Sequence, residues 1–141
     1  MSTAVQTSYG FGFPKGVAGG LFDLSAHDVT TRQAEGDGVA FGLGVVVGTN
    51  KGTDVKLPAT GATSDDFEGV VVHNSVMVEK DMDNNVSINS KRTVGCLHFG
   101  RIWVQTGAAA KPAYKEKVYL ITDGDEAGKF TTSADSARVR L

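Results

Sequence analysis

Residues 39–73 read VAFGLGVVVGTNKGTDVKLPATGATSDDFEGVVVH, and this stretch decides the fold. Val45-Val46-Val47 and Val70-Val71-Val72 are short β-branched runs, each with glycine close by. Apolar runs of this length with glycine punctuation predict strands buried in a β core, not helices. Between them, Thr49-Asn50-Lys51-Gly52-Thr53 is a tight-turn signal leading into a short strand from Asp54 to Leu57. Residues 58–66 are polar and poor in helix formers, which predicts a loop. The unit is therefore strand, hairpin, strand, loop, strand. It contains no obvious catalytic residue.

Outward from this unit the pattern stays β. On the C-terminal side, residues 75–79, 86–88, 93–105, 116–122, 129–132 and 137–141 are predicted strands, with polar turns at residues 80–85, 89–91 and 123–128. In residues 93–105 (TVGCLHFGRIWVQ) the apolar residues change register across Gly100. One long strand, buried on both faces and bent or bulged at Gly100, accounts for this. Val45, Val47, Val70, Val72, Ile102, Val104, Val118 and Leu120 are the expected core, and Trp103 with Phe99 and Tyr119 is expected to join it. Many short strands and no convincing helix predict an all-β chain, a small β-barrel or β-sandwich.

On the N-terminal side, residues 1–38 have weak periodicity and form an expected extended arm, with the β-barrel domain over residues 39–141. Asp28 to Ala34 alternates weakly, as an edge strand would. Tyr9, Phe11, Phe13, Leu21 and Phe22 lie on a backbone interrupted by Gly10, Gly12, Gly16, Gly19 and Gly20. Glycine at that density does not order by itself, so these side chains need a surface to bury against. That surface is either the arm's own domain or a neighbouring subunit. Tyr9, Phe11, Phe13, Pro14, Lys15, Leu21 and Phe22 are accordingly the candidate contact residues.

Length and charge bound the function. A chain of 141 residues is of single-domain size and can bury a substantial core. Its 14 Lys and Arg against 16 Asp and Glu are interspersed, which argues against nucleic-acid binding, an affinity built on phosphate neutralisation. No apolar run reaches membrane-span length, and the N-terminus lacks a signal-peptide pattern. The one cysteine, Cys96, has no intrachain partner and lies in an apolar run, as a buried small hydrophobe would.

Motifs that invite a ligand fail on spacing. Gly42, Gly44 and Gly48 lack the spacing and the following helix of a dinucleotide loop. Residues 81–92 begin like a calcium loop, but Val86 stands where the turn glycine belongs and Arg92 where the closing Glu belongs. Asp123, Asp125 and Gly128 imitate the same loop with Ala134 in the closing place, so both stretches read as hairpin turns. His27, His73 and His98 have no metal-ligand spacing, and nothing resembles a nucleophile elbow. No catalytic residue, metal site or cofactor is expected.

Several stretches in order resemble the structural cement, or decoration, proteins of tailed bacteriophage capsids. They are residues 13–23 (FPKGVAGGLFD), Phe41-Gly42 with Val45-Val46-Val47, residues 55–58 (VKLP), residues 67–73 (FEGVVVH), residues 98–104 (HFGRIWV) and Val118-Tyr119-Leu120. The resemblance implies a small β-barrel protein that binds the outside of the phage head as a homotrimer and stabilises contacts between capsomers. Its partner would be the major capsid protein, and it would be made in the host cytoplasm and located in the virion, with no nucleic acid, membrane or enzymatic activity involved. A carbohydrate- or receptor-binding module of a phage fibre is the alternative, and would need exposed aromatics beside Asp or Asn. A small β-barrel hydrolase is a third reading, and would need a cleft with a perturbed His or carboxylate.

Overall fold

The computed structural model describes residues 16–74, 79–80, 86–134 and 138–140. Its strands are β1 (Asp28–Ala34), β2 (Gly44–Val47), β3 (Asp54–Lys56), β4 (Phe67–Val71), β5 (Glu79–Lys80), β6 (Val86–Ser87), β7 (Thr93–Phe99), β8 (Tyr119–Ile121), β9 (Phe130–Thr131) and β10 (Arg138–Arg140). Two single 3-10 turns, Ser64–Asp66 and Gly124–Glu126, are the helical elements among the described residues. The architecture is all-β. Strands β1, β3, β2, β4 and β7 form a closed barrel, β10-β8-β9 a three-stranded sheet, and β5-β6 a two-stranded sheet.

The valine runs are uninterrupted because both faces of their strands are covered. Val45 and Val71 point into the barrel with Ala34, Val39, Phe41, Val55, Ile88, Val94 and Cys96. Their neighbours Val46 and Val70 point outward, where they pack with Leu120 and Phe130 of the three-stranded sheet and with Phe67, Ala62 and Ile102. A strand buried on both faces loses the polar half of the usual alternation.

The expected core was right at its centre and too generous at its ends. Val45, Val70 and Leu120 are buried, whereas Val47 and Val72 are half-buried at strand ends and Ile102 is half-buried in an isolated bridge. Val104 and Val118 are 36% and 41% exposed, because they lie outside the barrel and beyond the ends of the ladders. Residues 93–105 do not form one strand. β7 stops at Phe99, the chain turns at Gly100 (φ 134°), and Ile102 then makes a single antiparallel bridge with Leu21.

Asp28–Ala34 is not an edge strand. It pairs antiparallel with β7 and parallel with β3, and so closes the barrel. Its alternation is weak because its solvent face carries Thr31 and Gln33 while Thr30 and Arg32, on the Ala34 face, are also polar. The barrel thus takes in part of the stretch assigned to the arm.

Residues 16–22 are pinned to the barrel through backbone. Gly19 N–H donates to the Trp103 carbonyl (2.7 Å), His73 N–H to the Gly19 carbonyl (2.8 Å), and Trp103 N–H to the Gly20 carbonyl (2.9 Å). Gly19 has φ +76°, and a Cβ there would stand 2.7 Å from both His73 N and Val71 O. Only glycine permits that approach.

Candidate functional site

Of the candidate contact residues, Tyr9, Phe11, Phe13, Pro14 and Lys15 lie outside the described residues. Leu21 is half-buried in its bridge to Ile102. Phe22 is 50% exposed, and its ring leans on Trp103 with centroids 5.7 Å apart at 50°. Trp103 is therefore half-buried against the N-terminal segment and not in a core with Phe99 and Tyr119. Phe99 is mostly exposed and Tyr119 is half-buried on β8. Strand parity after β7 could not reveal this, since the chain turns at Gly100 and leaves the barrel.

A polar cluster spans β1, β4 and β7. Arg32 donates to Glu68 Oε1 from Nε (2.9 Å) and Nη2 (2.7 Å). Glu68 is the extra residue of a β-bulge, between the pairs Val45–Gly69 and Val46–Phe67. Bulges re-aim side chains in this way. His98 Nε2 meets the Thr30 hydroxyl and stands 3.9 Å from Glu68 Oε1. The set has the outline of a hydroxyl–imidazole–carboxylate relay, but 3.9 Å is too long for a hydrogen bond and Glu68 is already taken by Arg32. Its geometry serves to tie three barrel strands together.

Several other titratable groups are also held structurally. His73 packs on Phe41 (4.8 Å between centroids), and His27 Nδ1 bonds the Ser25 carbonyl oxygen (2.9 Å). Cys96 is 0% exposed, and burial pushes its thiol up to about 12, so it stays protonated and inert at neutral pH. The Thr49 hydroxyl and amide hold Glu35 below the usual carboxylate range, and the Thr63 amide and hydroxyl do the same for Asp66. Among the described residues no group of three or more His, Cys, Asp or Glu could hold a metal, and no helix is long and apolar enough to cross a membrane.

The surface feature that sequence reasoning missed lies beyond Trp103. Val104, Thr106, Ala110, Pro112, Val118 and Phe130 line an open groove of about 120 Å³. The loop of residues 107–118 forms one wall and presents Tyr114 at 90% exposure, with the Lys115 ammonium 5.5 Å from its ring centroid. The loop is anchored at its base, where Ala108 N–H donates to Glu126 Oε1 (2.8 Å) and Gly107 N–H to the Phe130 carbonyl (2.9 Å). Lys111, Lys115 and Lys117 around Tyr114 were the available signal for an exposed face in a run otherwise read as loop and strand.

Comparison with known proteins agrees with the all-β fold. A search of curated proteins found no match. A chain in a structure described as "The capsid of Myoviridae Phage XM1" is similar in fold, with a TM-score of 0.72 and 20% sequence identity over 99% of this chain and 86% of that one. Residues 5–140 match the family described as "Structural cement protein (E217 gp24/Pam3 gp6)", and with nearly the whole chain matched, this protein belongs to the structural cement protein family of phages.

Proposed function

We propose that the protein binds the outer surface of the phage head as a homotrimer and bridges neighbouring capsomers of the major capsid protein. The observation that carries this reading is the family match over residues 5–140. Physical features support it. The closed barrel leaves its five strands without a free edge, so contacts are made by side chains and appended segments. Apolar side chains stay exposed outside the barrel, at Val17, Phe22, Leu24, Val104, Tyr114 and Val118. The N-terminal segment adds a contact through Tyr9, Phe11, Phe13, Pro14 and Lys15, continued by the exposed Phe22. Cementing uses modest contacts that gain avidity when repeated by symmetry.

Two measurements on purified protein test this. Co-sedimentation with expanded heads that lack the protein should show saturable binding, and light scattering should give the mass of a trimer. Failure to sediment with such heads would remove the cement reading. A monomer both free and bound would remove the trimer alone.

A further inference from the structure

We infer that the groove between Val104, Val118 and Phe130, one wall of which is the lysine-bearing loop of residues 107–118, is the shell-binding face, and that it takes an extended segment of the shell protein carrying one apolar side chain beside acidic residues. The inference rests on the cement reading and names the face that reading leaves open.

Shape and polarity come first. The groove's volume of about 120 Å³ suits one apolar side chain, and Val104 and Val118 are exposed at it while Phe130, which also lines it, is buried. Charge follows. Lys111 lies between the lining residues Ala110 and Pro112, Lys117 is next to Val118, and Lys115 stands beside Tyr114. Residues 107–118 hold three lysines against Glu116 alone, a net charge of +2, whereas the rest of the chain sums to −4. Glu116 accepts a hydrogen bond from Ala113 N–H (2.9 Å), which holds the turn. An apolar slot walled on one side by a basic loop, on an otherwise acidic protein, is complementary to an apolar residue flanked by carboxylates.

The loop is also held in shape. Besides the bonds to Glu126 and Phe130, Ala110 N–H donates to the Gly107 carbonyl (3.0 Å). A loop held this way loses less entropy on docking. Tyr114, the most exposed aromatic among the described residues, projects from this loop, and aromatic side chains are common anchors at interfaces. The N-terminal segment of a second copy is the competing occupant. Residues 1–15 contain no Asp or Glu and carry Lys15, so they would leave the lysines of the 107–118 loop unmatched.

The test uses full-length protein and expanded heads that lack it. Binding constants are measured by co-sedimentation for wild type, Tyr114→Ala, Val118→Ser, Val118→Asp, the triple variant Lys111→Glu/Lys115→Glu/Lys117→Glu, and Phe99→Ser as an exposed apolar control outside the groove. Melting temperature and light scattering accompany each. The groove and lysine variants should melt like wild type and bind about tenfold more weakly or worse, while Phe99→Ser binds normally. Wild-type binding with unchanged groove variants overturns the inference and leaves the cement reading standing. Loss in the lysine variant alone, with Tyr114→Ala and Val118→Ser intact, indicates generic attraction to a polyanion and also overturns it. A change of oligomer mass in the groove variants assigns the groove to a contact between copies, again against the inference. Wild-type protein that does not bind heads removes the cement reading itself.

Discussion

Val71 and Val118 are the same residue in similar apolar β-like surroundings, and one is fully buried while the other is 41% exposed. Val71 belongs to a closed ring of strands, flanked on both sides by β2 and β7, with its side chain among Val45, Val55, Val94 and Cys96. Val118 precedes a three-residue strand of an appended sheet and lines an open groove. The contrast separates two uses of apolar residues. Inside the barrel they supply folding free energy, at roughly 25 cal/mol per Å² removed from water. On the 104–118 face they stay in contact with water, and a cluster of them beside charged residues marks a surface for a partner.

The sharpest way to break this contrast is to place a charge at both positions. Val71→Asp puts an unpaired carboxylate into the barrel, at a cost of several kcal/mol, and should yield no soluble, cooperatively melting protein. Val118→Asp should fold normally. A well-folded Val71→Asp protein would show that the barrel interior is not the core.

A smaller effect is expected where the two regions meet. Leu120 of β8 is 1% exposed and fastens the appended sheet to Val46 and Val70 on the barrel wall. Leu120→Ala should lose about 2–5 kcal/mol in denaturant unfolding. Hydrogen exchange should then show β8 and β9 opening before the barrel strands.

Gly19→Ala should cost less, about 1–3 kcal/mol for forcing a side chain into strained backbone, because the pinned segment can peel away while the barrel remains. Faster exchange of the His73 and Trp103 amides, with β2 and β4 unchanged, is the expected signature. Equal loosening of the barrel would mean that residues 16–22 belong to the core itself.

The smallest effect is set by pH. Asp66 accepts hydrogen bonds from Thr63 N–H and Oγ1–H, both 2.9 Å, so its folded pKa lies below its unfolded value. As pH falls, the unfolded chain takes up the proton first. The contribution is therefore complete above the ordinary carboxylate range and is lost as pH drops through the lowered folded value. Asp66→Asn should melt slightly lower at neutral pH and lose less on acidification. The site is exposed, so the difference should be modest.

The barrel was legible in the sequence because Val45-Val46-Val47 and Val70-Val71-Val72 carry the mark of strands covered on both faces. β1 was less legible. A closing strand with Thr30 and Arg32 on its inner face looks like an edge until Glu68, re-aimed by its bulge, pairs with Arg32. The 104–118 face was read as core and loop, since alternation reports that one side of a strand is apolar and not what covers that side. Ile102, half-buried, and Val104, exposed, have the same parity and differ only in what lies opposite. The family resemblance was legible from ordered short stretches, whereas the groove depends on residues 104, 118 and 130 meeting in space.

The division between a barrel that folds and an outer face that binds is tested most directly by amide hydrogen exchange of the protein free and bound to expanded heads. Binding should slow exchange in residues 104–118 and in the N-terminal segment and leave β1, β2, β3, β4 and β7 at their free rates. Protection concentrated on the outer surface of β1 and β3, with residues 104–118 unchanged, would contradict the account.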